Sequence, residues 1–292
     1  MKKTINYEYL EEKVHYNIPA LDTKLYKGII IDTETVDKNE DSDIIELAAL
    51  LFTFDLNGTV YEVIDQYHSY NDTDQEISSG AFAKHGLTKD DIKGHSIDIE
   101  LLKDWRKQSV IVIAHNAVFD RGKLLRKIPE FRKSYWACTC YDIDWEAQGY
   151  THKTLEYLTL KNRIHYENGH RATTDCHYLL ELVSRELPST GIPILRHLMD
   201  AASKEVYIIG IKLDPYSEDL KNYLKDWRYD YHKENKAWTN SKLSQKEFID
   251  QCKIISEYGN KDNIRWSKIS RRDPEYFDLT KEYTYNMLFS PK

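Results

Sequence analysis

Lys27-Gly28-Ile29-Ile30-Ile31-Asp32-Thr33-Glu34-Thr35 is a short β-branched run that closes on two carboxylates. Unbroken apolar character over so few residues suits a central strand buried on both faces, not the alternation of a half-exposed one. Asp32 and Glu34 stand two apart, so on a strand they share one face at its C-terminal end. Carboxylates held that close repel unless a cation neutralises them, and oxygen donors suit magnesium or manganese. Taken alone, the pair reads equally well as solvated strand-end acids.

Outward from this run the chain keeps an α/β rhythm. Ile44 to Phe54 is a second apolar run, Asn57-Gly58 marks a hairpin turn, and Val60 to Tyr67 is a third run, which together predict three antiparallel strands. Ser78 and Ser79 precede a short helical stretch ending at His85-Gly86-Leu87, and Thr88 with Asp90 caps another. Ile97 to Lys107 has helical spacing, Val110 to Ala114 is a strand, and His115-Asn116-Ala117-Val118-Phe119-Asp120 leads into an amphipathic helix. A strand feeding a helix, with polar residues at the junction, is a common place for a site in α/β proteins. Thr154 to Leu160 and Ala172 to Leu187 are further helices, and Pro188, Gly191 and Pro193 are expected to close the domain.

The 292 residues, 41% of them hydrophobic, can bury a full core with a smaller appendage. The expected division is an N-terminal extension over 1–26, a main domain over 27–200 and a small α+β module over 201–292. The opening residues lack an apolar stretch and carry Glu8, Glu11 and Glu12, so no presequence is expected; nor is a membrane span, and the expected location is cytoplasmic. Cys138, Cys140, Cys176 and Cys252 lack paired spacing and are expected to be reduced thiols, with a zinc site from Cys138, Cys140, Cys176 and His177 the weaker alternative. A formal net charge of -7 argues against a protein that coats nucleic acid through a broad basic surface, but not against one that holds a strand end. The acidic excess lies in residues 1–200, with 33 Asp and Glu against 24 Lys and Arg.

Asp120 falls in the first turn of its helix, where a carboxylate also favours the helix dipole. His170 and Asp175 bracket the start of another helix. Each has an ordinary structural reading, and the set in this order is what carries weight. DTET at 32–35, HNAVFD at 115–120 and HRATTD at 170–175 together resemble the three exonuclease motifs of the DnaQ-like DEDDh 3′-5′ exonuclease family, and HGLT at 85–88 is similar to an element between the first two. The resemblance spans about residues 27 to 187. It implies an RNase H-like fold, a mixed five-stranded sheet flanked by helices.

It also implies two divalent metal ions, Mg²⁺ or Mn²⁺, which clamp the scissile phosphate. Asp32, Glu34 and Asp175 would hold the ion carrying the attacking water, and Asp32 with Asp120 the other. His170 would be the general base, a residue type that titrates near neutrality. Arg171 occupies the position where a sister subtype carries tyrosine. Thr33, Thr35, His115, Asn116 and Phe119 are candidate substrate contacts, Phe119 by stacking, though it is equally a core residue of its helix. Glu46, inside an apolar strand, is read as structural. Val36, Asp37 and Cys140 depart from the family pattern and bear on substrate fit.

In the C-terminal region, aromatics around Lys233-Glu234-Asn235-Lys236 predict a hairpin followed by a helix from Ser244, loosely similar to a module found after some bacterial exonuclease domains. Arg228, Arg265, Trp266, Arg271 and Arg272 interleave charge with aromatic rings and could guide a single strand, or they could frame a Trp and Tyr core. The expected partner is single-stranded nucleic acid or its 3′ end, DNA before RNA. The alternatives are an RNA-directed enzyme and a non-catalytic binding module on a nuclease fold.

Overall fold

A computed structural model describes residues 16–164, 169–270, 284 and 287–289. The chain divides into two compact units between Ala202 and Ser203.

The first unit is built on a five-stranded sheet of order β3-β2-β1-β4-β5. Its strands are β1 (Tyr26–Thr35), β2 (Ile44–Phe54), β3 (Val60–Tyr70), β4 (Ile111–Ala114) and β5 (Trp136–Cys138). β1 to β3 form an antiparallel meander, and β4 and β5 add in parallel to the other side of β1. This is the mixed sheet of an RNase H-like α/β fold. β1 is central, and Ile29, Ile30 and Ile31 are fully buried, as its unbroken apolar run requires. Full burial of each such side chain contributes roughly 1.5–3 kcal/mol. Gly28 is part of the same solution: it pairs with Phe52, whose ring atoms lie 2.6 Å from where a Cβ would stand. Gly58 turns the β2–β3 hairpin at φ +89, with the Arg196 backbone packed against it.

Helices α1 (Ser79–His85), α2 (Lys89–Ile92), α3 (Ile99–Gln108), α4 (Ala117–Lys127), α5 (Leu155–Lys161) and α6 (Ala172–Val183) accompany the sheet. Ser78, Thr88, Asp98 and Thr154 cap α1, α2, α3 and α5 through their side chains, the sequence signals that had placed the starts of α1 and α2. α6 stops at Val183, four residues short of the expected end. Leu187 N–H instead donates to the Ile192 carbonyl, and Glu186 bridges Pro193. Pro193 therefore does not close the unit but opens one more helix, α7 (Ile194–Ser203), a position where a missing N–H costs nothing. Ile194, Leu195, Leu198 and Ala202 of α7 join the core formed by β1, β2, β4 and α6. No helix among the described residues is long and apolar enough to cross a membrane.

The second unit is a four-stranded antiparallel sheet of order β7-β8-β6-β9, made of β6 (Glu205–Lys212), β7 (Asp230–His232), β8 (Ala237–Leu243) and β9 (Ile264–Ser270). The expected hairpin is β7–β8. α8 (Glu218–Asp226) and α9 (Gln245–Glu257) pack on it over Ile209, Ile211, Leu220, Leu224, Tyr229, Trp238 and Ile255. Ser244 caps α9 in a reciprocal box with Glu247. Tyr229 and Trp238 are core residues here, whereas Trp266 is more than half exposed. Arg271 and Arg272 lie outside the described residues.

Candidate active site

The carboxylates meet in one cleft of the first unit. Parallel pairing of β1 with β4 brings the end of β1 beside the β4–α4 junction, so Asp32 and Glu34 approach Asp120. α6 packs against β1 and β2 and delivers Asp175 in its first turn. Asp32, Glu34, Asp120, His170 and Asp175 all line a cavity of about 1030 Å³. Five residues from three separated stretches of sequence thus face a common volume, at the upper end of the range for ligand sites.

Local bonding fixes the acids. Thr33 gives Asp120 Oδ1 both its backbone N–H at 3.0 Å and its hydroxyl at 2.8 Å. His170 N–H donates to Asp175 Oδ2 at 3.2 Å. His170 itself holds φ +65, the left-handed region that non-glycine residues seldom occupy, and its side chain is exposed. Arg171 lies on Glu46, and Glu46 pairs with Glu34 in the β1–β2 register. Glu46 is fully buried and also meets His68 Nε2 at 2.8 Å and Ala172 N–H at 3.3 Å. Burial would raise its pKa, but bonds from His68 and Arg171 outweigh that and lower it.

The other acids go the opposite way. Burial, then repulsion from Asp120 and Asp175, pushes Asp32 well above the usual carboxylate range. Burial, then Glu46 and Asp175, pushes Glu34 up to about 8, with Lys84 partly opposing. Burial pushes Asp120 up to about 7 despite the bonds from Thr33. Such a group is short of positive charge. Ligand atoms of Glu34, His170 and Asp175 lie within 4.8 Å of one another, a separation that a single cation can span. An oxygen-rich set starved of cations fits hard divalent ions.

The expected substrate contacts divide. Asn116 is exposed on the cleft and makes no side-chain capping bond to α4. Phe119 is half-buried on the cleft wall, with Lys123 Nζ 5.1 Å from its ring centroid. Thr33 and Thr35 are buried, their hydroxyls committed to Asp120 and to the Asp37 carbonyl. His115 has Nδ1 2.9 Å from Thr139 Oγ1, and its buried Nε2 lies by the Lys153 backbone without closing a bond of standard geometry. Burial lowers its pKa to about 4, so it stands neutral in the wall.

The cysteines stay apart from this chemistry. Cys138 Sγ meets the His115 carbonyl and Cys176 Sγ the Ala48 carbonyl; among the described residues no cysteine joins a metal-ligating cluster. Cys140 follows the end of β5 in a turn. Lys38, Lys84, Tyr141 and Lys153 also line the cleft. None belongs to a motif, and only the fold reveals their position.

A family model described as an exonuclease, RNase_T, matches residues 29–183. No curated protein sequence matches the chain. Among solved structures, Exonuclease X in complex with 5′ overhanging duplex DNA is similar at 23% identity and TM-score 0.46, over 60% of this chain and 99% of that one. E. coli Exonuclease I in complex with a dT13 oligonucleotide is 16% identical, TM-score 0.46, over 62% of this chain and 48% of that one, so the match spans about half of that protein. A 3′-exonuclease described in 3′-end-specific recognition of a histone mRNA stem-loop is 15% identical, TM-score 0.44, over 59% and 67% of the two chains.

Proposed function

The chain belongs to the RNase_T exonuclease family, and on that premise we propose that it hydrolyses single-stranded or unpaired nucleic acid from the 3′ end, DNA in the first instance, releasing nucleoside monophosphates with two divalent metal ions. The observation that carries this reading is the gathering of Asp32, Glu34, Asp120 and Asp175 with His170 in one cleft, with burial and mutual repulsion raising the pKa of Asp32, Glu34 and Asp120.

Asp32, Glu34 and Asp175 would hold one ion, and Asp32 with Asp120 the other. When bound, the ions supply Lewis-acid chemistry at the phosphate and a water of lowered pKa. Around them the protein's part is orientation and proton transfer. Thr33 fixes Asp120 Oδ1 from two donors, so this carboxylate is set before any ligand arrives. The exposed imidazole of His170 takes the proton from the attacking water at a ring nitrogen, and its backbone N–H holds Asp175. Arg171, bonded to Glu46, anchors the turn from which His170 projects.

The test is incubation of 5′-labelled DNA and RNA strands of matched sequence with Mg²⁺, Mn²⁺ or EDTA. A metal-dependent ladder that shortens from the 3′ end is expected, and the faster strand identifies the sugar. Intact strands under every condition would move the reading to a non-catalytic binding module.

A further inference from the structure

Beside the acid cleft lies a second chamber of about 560 Å³. The two share Cys140, Tyr141, Lys153 and Thr154 along their common rim. Inside the chamber Trp145 is buried and Tyr150 stands edge-on to it at 5.4 Å. At the rim, Lys153 Nζ lies 3.9 Å from the centroid of the Tyr141 ring, and Tyr141 is 60% exposed. Among the described residues the Lys153 ammonium forms no salt bridge.

The backbone beneath both side chains is fixed. Cys140 N–H donates to the His115 carbonyl at 3.0 Å and Tyr141 N–H to the Cys138 carbonyl at 3.2 Å, continuing the order of β4 and β5. Lys153 directly precedes Thr154, the N-cap of α5. A surface ring and cation are thus presented from two anchored loops that line both the acid cleft and the aromatic chamber.

We propose that Tyr141 and Lys153 form a subsite for an unpaired nucleotide upstream of the scissile phosphate, its base stacked on Tyr141 and its phosphate met by Lys153. This rests on the exonuclease reading of the neighbouring acids. Those acids repel a polyanion, so attraction for the rest of the strand must come from elsewhere on the rim. An aromatic face accepts any base, a cation beside it meets the backbone, and a base still stacked in a duplex offers neither face. In the free protein the ammonium rests on the ring through a cation–π contact that a base would replace.

The experiment is fluorescence anisotropy with fluorescein-labelled oligothymidylates of two, four and eight nucleotides, in Ca²⁺ to limit turnover. Wild-type affinity is expected to rise between the dinucleotide and the longer strands. In Tyr141→Ala that gain falls by about tenfold, the scale of one lost base stack, and Tyr141→Trp restores it. Lys153→Gln lowers the slope of log affinity against log salt by about 0.7, one phosphate contact on a single strand. Circular dichroism checks that each variant folds. The same gain with length in Tyr141→Ala as in wild type, or an unchanged salt slope in Lys153→Gln, overturns the subsite. Wild-type hydrolysis of the 4-nitrophenyl ester of thymidine 5′-monophosphate, followed in parallel with strand cleavage, tests the exonuclease reading separately. If neither is cleaved, that reading fails and the binding series still decides the subsite.

Discussion

Arg171 grips Glu46 from 125 residues away, its Nε 3.2 Å from both carboxylate oxygens and its Nη2 2.9 Å from one of them. The pair ties the start of α6 to the middle of the sheet, one residue beyond His170 and across the β1–β2 ladder from Glu34. Removing Arg171 leaves the buried Glu46 with only His68 and the Ala172 N–H and no water to turn to, whereas Arg171 without Glu46 would keep the Tyr70 hydroxyl.

Arg171→Ala is therefore expected to cost on the order of 3 kcal/mol in urea unfolding, the scale for breaking a buried pair from one side. Turnover should fall as well, because His170 loses the anchor of its turn. Full stability in the variant would mean that His68 and the Ala172 N–H satisfy Glu46 without the guanidinium.

Asp120→Ala and Asp175→Ala are expected to keep the fold and lose at least about 10³-fold in strand cleavage, since a bound ion supplies several kcal/mol at the phosphate. Circular dichroism checks the first half and gel assays the second. Near wild-type cleavage by either protein would remove that acid from the ligand set.

His170→Ala is expected to slow cleavage by roughly 10²–10⁴-fold, the range for a general base, with the Mn²⁺ binding midpoint unmoved. The closeness of His170 to Glu34 and Asp175 gives the opposite result a meaning too. A weakened Mn²⁺ midpoint would make His170 a metal ligand.

The metal-free protein should lose stability as pH rises from about 4 to 8. Asp120 at about 7 and Glu34 at about 8 bind protons more tightly when folded than an exposed carboxylate does. Their contribution is full below the unfolded pKa of about 4 and disappears as pH passes the folded values. Bound Mg²⁺ or Mn²⁺ replaces those protons, so it should flatten the decline, and its apparent affinity should rise across the same window. Thermal melts with EDTA and with each metal check this; parallel curves would show that the acids do not bind it.

Much of this was legible in the sequence because it is local. The β-branched run ending in Asp32 and Glu34 announces a central strand, Asn57-Gly58 a hairpin, and the three motifs fall at element ends where a parallel crossover brings them together. What stayed hidden is what depends on partners far along the chain. Glu46 reads as a lone acid in an apolar strand until Arg171 folds onto it. Thr33 looks like a substrate contact until both its donors are found on Asp120. Tyr141 and Lys153 belong to no motif, and only the meeting of two loops makes them neighbours. α7 was missed because Pro193 is the same letter whether it ends a domain or opens a helix.

That last helix sets where the catalytic unit can be cut. A shortened chain ending at Leu187, where the motifs run out, would shed Ile194, Leu195 and Leu198 from the core they share with β1, β2, β4 and α6. It would also uncover the Gly58 turn, which rests on Arg196. Fragments ending before α7 should aggregate on expression, whereas one carried through Ala202 retains these contacts, so the recognisable exonuclease segment is shorter than the smallest piece able to support it.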